Sequence, residues 1–437
     1  MYMIYGKETA QAVKNFPVND QKVPESLIKA MIVIKKNAAL ALKSTKELKP
    51  QTADAIVRAC EELLNDFHPE YFPTNAFQGG AGTSTHMNVN EVISHIAGKY
   101  AGYPVDPLDD VNRFQSTNDV YPTALRIASI LLIRFLSNEV AKLQESLQKK
   151  ELEWDTIFKM GRTELMDAQI ITLGQEFGAY AQAIARDRWR IYKVEERLRQ
   201  INLGGTAVGT GSTASRKYGF LVIEYLRKDT GIGLSRAEYP MDLTQNNDVF
   251  VETSGLLKAL SVNLMKIAND LRLMNSQPFQ EIKLKPLQKG STIMPGKINP
   301  VIPEMTMQVS MEIMAYDSAI SYAAASGNLE LNAFLPLIAY NLLTSLEMLC
   351  HTVSIFRTEC IEPLQAYEKG CHSHLDSIVI YGTALLPYIG YQKASELMEK
   401  SNYEKDKLKT LLETDTEMTK EEITPVFTIT HPSSYKN

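Results

Sequence analysis

At 437 residues, with 44% hydrophobic and 22% charged side chains, the chain has the make-up of a globular protein of two or three domains with a large core. A net charge of −5 gives no electrostatic reason to expect nucleic acid or an anionic membrane as partner. No apolar run is expected to approach the length of a membrane span, and the start, MYMIYGKETA, lacks the basic and apolar regions of a signal peptide, so a cytoplasmic enzyme is the expectation.

The N-terminal stretch reads as short helices and loops and ends in a polar segment at Asp106–Asp110. Helical periodicity then dominates. From Pro122 to about Trp154, Leu125, Ile127, Ile130, Leu131, Phe135, Leu136, Val140, Leu143 and Leu147 recur at three- and four-residue steps. Further long helices are predicted from about Leu173 to Leu203, from Val251 to Leu273, from about Glu304 to Ala325, and after Pro336 through Ile338 to Phe356. Clean two-residue alternation is nearly absent, so strands should be few and peripheral. Beyond Pro363 the pattern shortens and includes a charged segment, Glu399–Lys420. Apolar stripes wide enough to be covered on several sides imply an all-α bundle extended by subunit contacts. Three domains are expected: an N-terminal helical cap at 1–112, a central long-helix bundle at 113–364, and a small C-terminal helical domain at 365–437.

Three polar clusters interrupt these patterns. Gln78-Gly-Gly-Ala-Gly-Thr-Ser-Thr-His-Met-Asn-Val-Asn-Glu91 is glycine-rich but lacks the spacing and lysine of a phosphate loop. Gln115-Ser-Thr-Asn-Asp-Val-Tyr-Pro-Thr123 supplies small hydroxyl and amide groups just before the first long helix, where they serve equally as a helix cap. Gly161-Arg-Thr-Glu-Leu-Met-Asp167 precedes the second long helix and invites the same capping reading. Cys60, Cys350, Cys360 and Cys371 are widely spread and read as buried small hydrophobes. Cys371-His372-Ser373-His374 has no matching second ligand pair, so no metal site is predicted.

The most informative stretch is Gly290-Ser-Thr-Ile-Met-Pro-Gly-Lys-Ile-Asn-Pro300. A hydroxyl pair (Ser291, Thr292), a cation (Lys297) and an amide (Asn299) share a loop punctuated by Gly and Pro, which disfavour regular structure and leave N–H groups accessible. Pro300 and Pro303 mark a helix start. An anion could meet Lys297, loop amides and the positive end of that helix together.

Taken together, the segments resemble the aspartase/fumarase superfamily. Its catalytic loop has the pattern Gly-Ser-Ser-x-Met-Pro-x-Lys-x-Asn, and residues 78–91 and Gln115–Thr123 match its other two site regions in order and rough spacing. Thr172-Leu-Gly-Gln-Glu-Phe177, Gly205-Thr-Ala-Val-Gly-Thr-Gly211 and Gly327-Asn-Leu-Glu-Leu-Asn332 match as well, and the likeness runs from Tyr5-Gly6 to His431-Pro432. The resemblance implies a homotetramer whose active sites each draw on three subunits, a small carboxylate substrate, and no metal or organic cofactor. It implies anti-elimination across a C–C bond next to a carboxylate. Ser291 matches the base, which takes a proton from the carbon beside that carboxylate. A serine oxygen becomes a base only where positive potential stabilises its anion, and loop amides with Lys297 are placed to do so. Thr83, Ser116, Thr117 and Thr292 match the donors that hold the enediolate. Lys297 and Asn299 match the grip on the other carboxylate, and Asn118 and Thr163 match the contacts to the leaving amine.

Three details resemble the aspartase branch: Ala81-Gly-Thr-Ser84, Ser116-Thr117-Asn118 and Asn299-Pro-Val-Ile-Pro-Glu304. Asn328–Asn332 and Ile338–Leu343 look more like fumarase. Position 164 is Glu where the family carries His or Gln, and that residue commonly leans on a glutamate matching Glu304. Two carboxylates would then face each other, so one holds a proton or a cation lies between them. An anion at the leaving-group end suits a cationic substrate and argues against fumarate hydratase. His86 replaces the usual Asn, Thr213 stands where relatives have Asn, Asn275-Ser-Gln-Pro-Phe279 lacks the family's Gly-Pro-Arg, and Lys289 adds a cation to the loop. An ammonia-lyase acting on an aspartate-like amino acid is the leading reading. An ergothionase-like lyase releasing trimethylamine from a betaine is the alternative. A binding protein on a retained lyase scaffold is disfavoured by Ser291, Lys297 and Asn299.

Overall fold

In the computed structural model, residues 4–428 are described; His431-Pro432, at the end of the expected likeness, lies outside them. The long periodic segments form helices close to the expected bounds. In chain order they are α1 (Lys7–Asn15), α2 (Glu25–Thr45), α3 (Pro50–Asn65), α4 (Thr83–Ala101), α5 (Thr117–Glu153), α6 (Leu173–Leu198), α7 (Arg216–Thr230), α8 (Pro240–Gln245), α9 (Asp248–Asn275), α10 (Val301–Ala325) and α11 (Leu335–Ile355). Short helices follow: α12 (Glu368–Ser373), α13 (Ile378–Ala384), α14 (Leu386–Lys400), α15 (Lys405–Asp415) and α16 (Lys420–Val426).

The helix α5 starts at Thr117, five residues before the proline taken as its beginning. Proline at 122 removes the N–H that would have bonded the Asn118 carbonyl four residues back. Asn202 Nδ2 donates to that carbonyl instead, at 3.0 Å, so the helix continues through the proline. This helix also corrects the expectation that no apolar run approaches a membrane span. Its most apolar 18-residue window is long and apolar enough to cross a bilayer, and 72% of that window is buried inside the fold.

Strands are few, as expected, but one pair forms where a helix cap was expected. The polar cluster read as a cap for α6 is an antiparallel hairpin, β1 (Phe158–Thr163) with β2 (Met166–Thr172), in which Thr163 pairs with Met166. Its two-residue connection is Glu164–Leu165, with φ of +52° and +64°, the sign pattern of a type I′ turn. The two remaining pairs of strands are slight: Gln200–Ile201 with Ser235–Arg236, parallel, and Ile282–Lys283 with Gln365–Ala366, antiparallel, make up two further two-stranded sheets.

The chain divides into two compact units, each discontinuous in sequence. The first comprises Met1–Val140, Asp187–Val262 and Gln308–Val353; the second comprises Ala141–Arg186, Asn263–Met307 and Ser354–Asn437. In the first, α2 packs against α3, α4 and α7. In the second, α12 packs on β1 and α13 on β2, and Leu385, Leu397, Leu408, Leu412 and Ile423 form a small core for the terminal helices. All four cysteines are buried and free, and the Cys371 thiol donates to the Glu281 carbonyl at 3.4 Å.

Candidate active site

The helix ends α4 and α5 are built together. Thr83 opens α4 and donates its hydroxyl to the Gly80 carbonyl at 2.7 Å. The residue before it, Gly82, has φ of +94°, and a Cβ there would lie 2.2 Å from ring carbons of Tyr121, which is 1% exposed. Gly82→Ala is therefore expected to cost about 2–4 kcal/mol from left-handed backbone plus overpacking, read as a lowered Tm. An unchanged Tm would refute this close approach of α4 to α5.

At the start of α5 the capping reading holds: Asp119 Oδ1 accepts from Ser116 N at 2.9 Å, and Ser116 Oγ accepts from Asn118 N at 3.2 Å. Asp119 Oδ2 accepts from Gly204 N and Thr206 N, each at 3.0 Å, which ties the Gly-rich segment to the same helix end. Asn118 Nδ2 donates to the Ala207 carbonyl at 2.8 Å. His86 is buried behind Thr117, its Nδ1 2.9 Å from Thr117 Oγ1 and its Nε2 2.6 Å from Lys35 Nζ. Burial, with the Lys35 charge beside it, holds this imidazole well below the usual histidine range. Thr83, His86, Ser116, Thr117 and Asn118 thus form one group.

The loop forms a second group. Its neck is closed by Gly290 N donating to the Lys297 carbonyl and by Asn299 Nδ2 donating to the Gly290 carbonyl, both at 2.9 Å. Ser291 Oγ accepts from the backbone N–H of Ile293 at 3.2 Å and of Met294 at 2.9 Å. Thr292 and Lys297 are exposed, and Lys297 makes no ion pair among the described residues. Lys297 and Glu304 line a cleft of about 760 Å³ with Arg272, whose Nη2 is 3.9 Å from Glu304 Oε1.

Thr163 and Glu164 form a third group, exposed at the hairpin tip. The strand beneath them is anchored by the fully buried Glu281, 2.7 Å from Lys159 Nζ and 2.6 Å from Arg162 Nη1. Arg162 also lies 3.2 Å from Asp167 on the opposite strand. The expected contact of Glu164 with Glu304 is not formed among the described residues: Glu164 occupies the turn, and the nearest cation to Glu304 is Arg272. Both Thr163 and Glu164 line a cleft of about 600 Å³ with Lys159, Glu176 and Phe279.

The chain matches the lyase family over residues 3–315. It is 38% identical to an aspartate ammonia-lyase from a Bacillus species, over 98% of this chain and 94% of that protein. It is 41% identical to a class II fumarate hydratase from Corynebacterium efficiens, over 90% and 84% respectively.

The chain belongs to the aspartase/fumarase superfamily.

Solved structures agree. A fumarate lyase:delta crystallin from Brucella melitensis, 38% identical, matches with a TM-score of 0.90 across 98% of this chain and 95% of that one. A class II fumarase from Schistosoma mansoni, 29% identical, matches at 0.94 across 98% and 95%. For an aspartase/fumarase lyase, the sequence reading overlooked three residues that support the groups above: Lys35, Asp119 and Asn202. Lys35 had a readable signal, since it falls on the apolar stripe Ile28, Met31, Ala38, Leu42 of α2. Asp119 lies inside the Gln115–Thr123 segment, and nothing local in the sequence pairs Asn202 with the gap that Pro122 leaves.

Proposed function

We propose that this chain is a carbon–nitrogen lyase that eliminates ammonia or an amine from an aspartate-like amino acid, giving fumarate or a related unsaturated carboxylate, with Ser291 as base. The observation that carries this reading is the pair of backbone N–H groups on Ser291 Oγ. Donors aimed at that oxygen lower the cost of negative charge on it, as an oxyanion hole does. Lys297 adds positive potential from the same loop. Ser291 removes the proton from the carbon next to the carboxylate, and Thr83, Ser116, Thr117 and Thr292 hold the enediolate that results. Lys297 and Asn299 grip the other carboxylate, while Asn118, Thr163 and Glu164 face the departing amine. Glu304 supports the loop end of this arrangement, and His86 supports Thr117.

The groups meet, in this reading, where three subunits of a homotetramer adjoin. Large apolar side chains exposed on the long helices, among them Leu131, Phe135, Val262, Met311 and Tyr322, support such packing. Glu164 favours a second reading, loss of trimethylamine from an α-trimethylammonium substrate, because its carboxylate has no cation partner among the described residues.

One experiment separates these readings. Purified protein is incubated with aspartate, malate, argininosuccinate and ergothioneine, and the ultraviolet absorbance of the unsaturated product is followed. Turnover of aspartate or ergothioneine supports the amine-lyase; turnover of malate alone refutes it, and silence on all four favours a scaffold role. Glu164→Gln is expected to lower kcat/KM for the cationic substrate by about 10–100-fold, the worth of one charged contact. An unchanged KM would confine Glu164 to its role in the turn.

A further inference from the structure

Lys35 is an unusual residue for the centre of a helix. It is fully buried on α2, with Nζ 2.6 Å from His86 Nε2 and 2.8 Å from Asn112 Oδ1. On its far side, His86 places Nδ1 2.9 Å from Thr117 Oγ1, and that is the sole partner of the Thr117 hydroxyl among the described residues. We propose that Lys35 and His86 are positioning residues that fix the direction of the Thr117 hydroxyl, turning its proton outward to a substrate carboxylate. This rests on the reading above, in which Thr117 holds an anion.

The argument is one of donors and acceptors. A lysine ammonium has three N–H groups and no lone pair, so His86 Nε2 facing it must be the acceptor. The single proton of the neutral imidazole then sits on Nδ1 and is donated to Thr117 Oγ1. Thr117 accepts that bond and keeps its own proton for another acceptor. Of the neighbouring groups, Asn118 Nδ2 already donates to the Ala207 carbonyl, whereas Ser116 Oγ, accepting from Asn118 N, keeps its own proton beside that of Thr117. Thr117 is left as an unspent donor at the start of α5, where the helix dipole also favours an anion.

Removing one proton from Lys35 frees a lone pair and opens the reversed chain, which the ammonium form forbids. A neutral amine can accept from Nε2–H; the imidazole proton moves from Nδ1 to Nε2, and Nδ1 becomes an acceptor for Thr117's own hydroxyl. Thr117 then presents lone pairs to the carboxylate and repels it. Burial pulls the Lys35 ammonium down to about 7, against the opposing charge of Asp119. The groups facing it are the Cys60 thiol on α3, kept neutral because burial pushes it up, His86 on α4, and Asp119 on α5, pushed up to about 6 by burial. Lys36, next along α2, is turned to Asp229 of α7, and Tyr218 of α7 lies beside Asp119. Because the ammonium form is the competent one, carboxylate binding is full below about pH 7 and weakens above it. By linkage, a bound carboxylate draws a proton onto Lys35.

Solid-state NMR on ¹⁵N-histidine-labelled, assembled protein tests the relay directly, with a His86→Asn variant to assign the signal. The expected result at pH 6 is a neutral His86 with bare Nε2 and protonated Nδ1, and loss of that pure state by pH 9. An Nε2–H tautomer or an imidazolium at pH 6 overturns the inference. Calorimetry with succinate as probe supplies the second measurement. Affinity should fall about tenfold between pH 6 and pH 8, as the charged fraction of a group titrating near 7 does. Thr117→Val, nearly isosteric, should bind weakly at both values and lose the slope; a slope retained in that variant also overturns the inference. Wild-type protein that neither binds succinate nor turns over any candidate substrate refutes the proposed function, while the tautomer result still decides the relay.

Discussion

Ser291→Ala is expected to lower kcat by ~10³-fold, within the range that general-base groups contribute, and to leave folding and assembly unchanged. The two expectations separate because of where the oxygen sits. Ser291 is on an exposed loop, and the N–H groups of Ile293 and Met294 that it accepts can turn to water when Oγ is removed. The neck of the loop is held elsewhere, by Gly290 with Lys297 and Asn299. Stability should therefore shift by less than about 0.5 kcal/mol, as for other surface substitutions. Steady-state kinetics beside a melting curve and sedimentation velocity make the comparison. Residual activity above about a tenth of wild type, with a normal melt, would remove Ser291 from the role of base.

The largest effect on stability is expected at Asp119. Its carboxylate is completely buried and accepts three backbone N–H groups, those of Ser116, Gly204 and Thr206. Truncation to Ala leaves these donors without a partner where water is scarce, and each such loss costs about 1–3 kcal/mol. Part of that is offset, because the carboxylate itself is costly to bury: desolvation pushes Asp119 up to about 6, against the pull of its N–H partners and Lys35. The net expectation is a loss of about 3–5 kcal/mol, with the amides of Gly204 and Thr206 exchanging faster in hydrogen-exchange experiments. An unchanged Tm with unaltered exchange at those two amides would show that the Gly-rich segment is held by other means.

The pH dependence of Asp119 follows from the same shift. Its folded-state value lies above that of the unfolded chain, so the folded state holds the proton more tightly. From this group alone, stability is greatest at low pH and declines as pH rises through about 6.

The long helices were readable in the sequence because their apolar residues repeat at helical steps over many turns. Within α5, Leu125, Leu136, Val140, Leu143 and Leu147 are all buried as the periodicity requires, whereas Leu131 and Phe135 of the same stripe are exposed in the single chain. Periodicity identifies an apolar face without saying whether the chain itself or another subunit covers it. The hairpin was hidden for a different reason. Its strands are held by the ions Lys159, Arg162 and Glu281, so the usual signature of alternating apolar residues is weak. In the candidate site, the loop and the hydroxyl residues stood out as motifs. The supports behind them, Lys35 and Asn202, did not, since each acts on a partner far away in the chain: His86 for the lysine, Asn118 for the amide.

The turn at Glu164–Leu165 separates two properties that enzymes usually bind together. Both residues hold left-handed backbone without the freedom of glycine, and neither is buried. The ions that anchor the hairpin lie below them, on Lys159, Arg162 and Glu281. Residue 164 is in effect an interchangeable head on a fixed shaft. Exchanging it alters what is presented to a ligand with little demand on the core, and a glycine at 165 would ease the bend beneath it. On the proposed role of Glu164 beside the departing amine, selectivity for that amine can drift, or be engineered, almost independently of whether the protein folds.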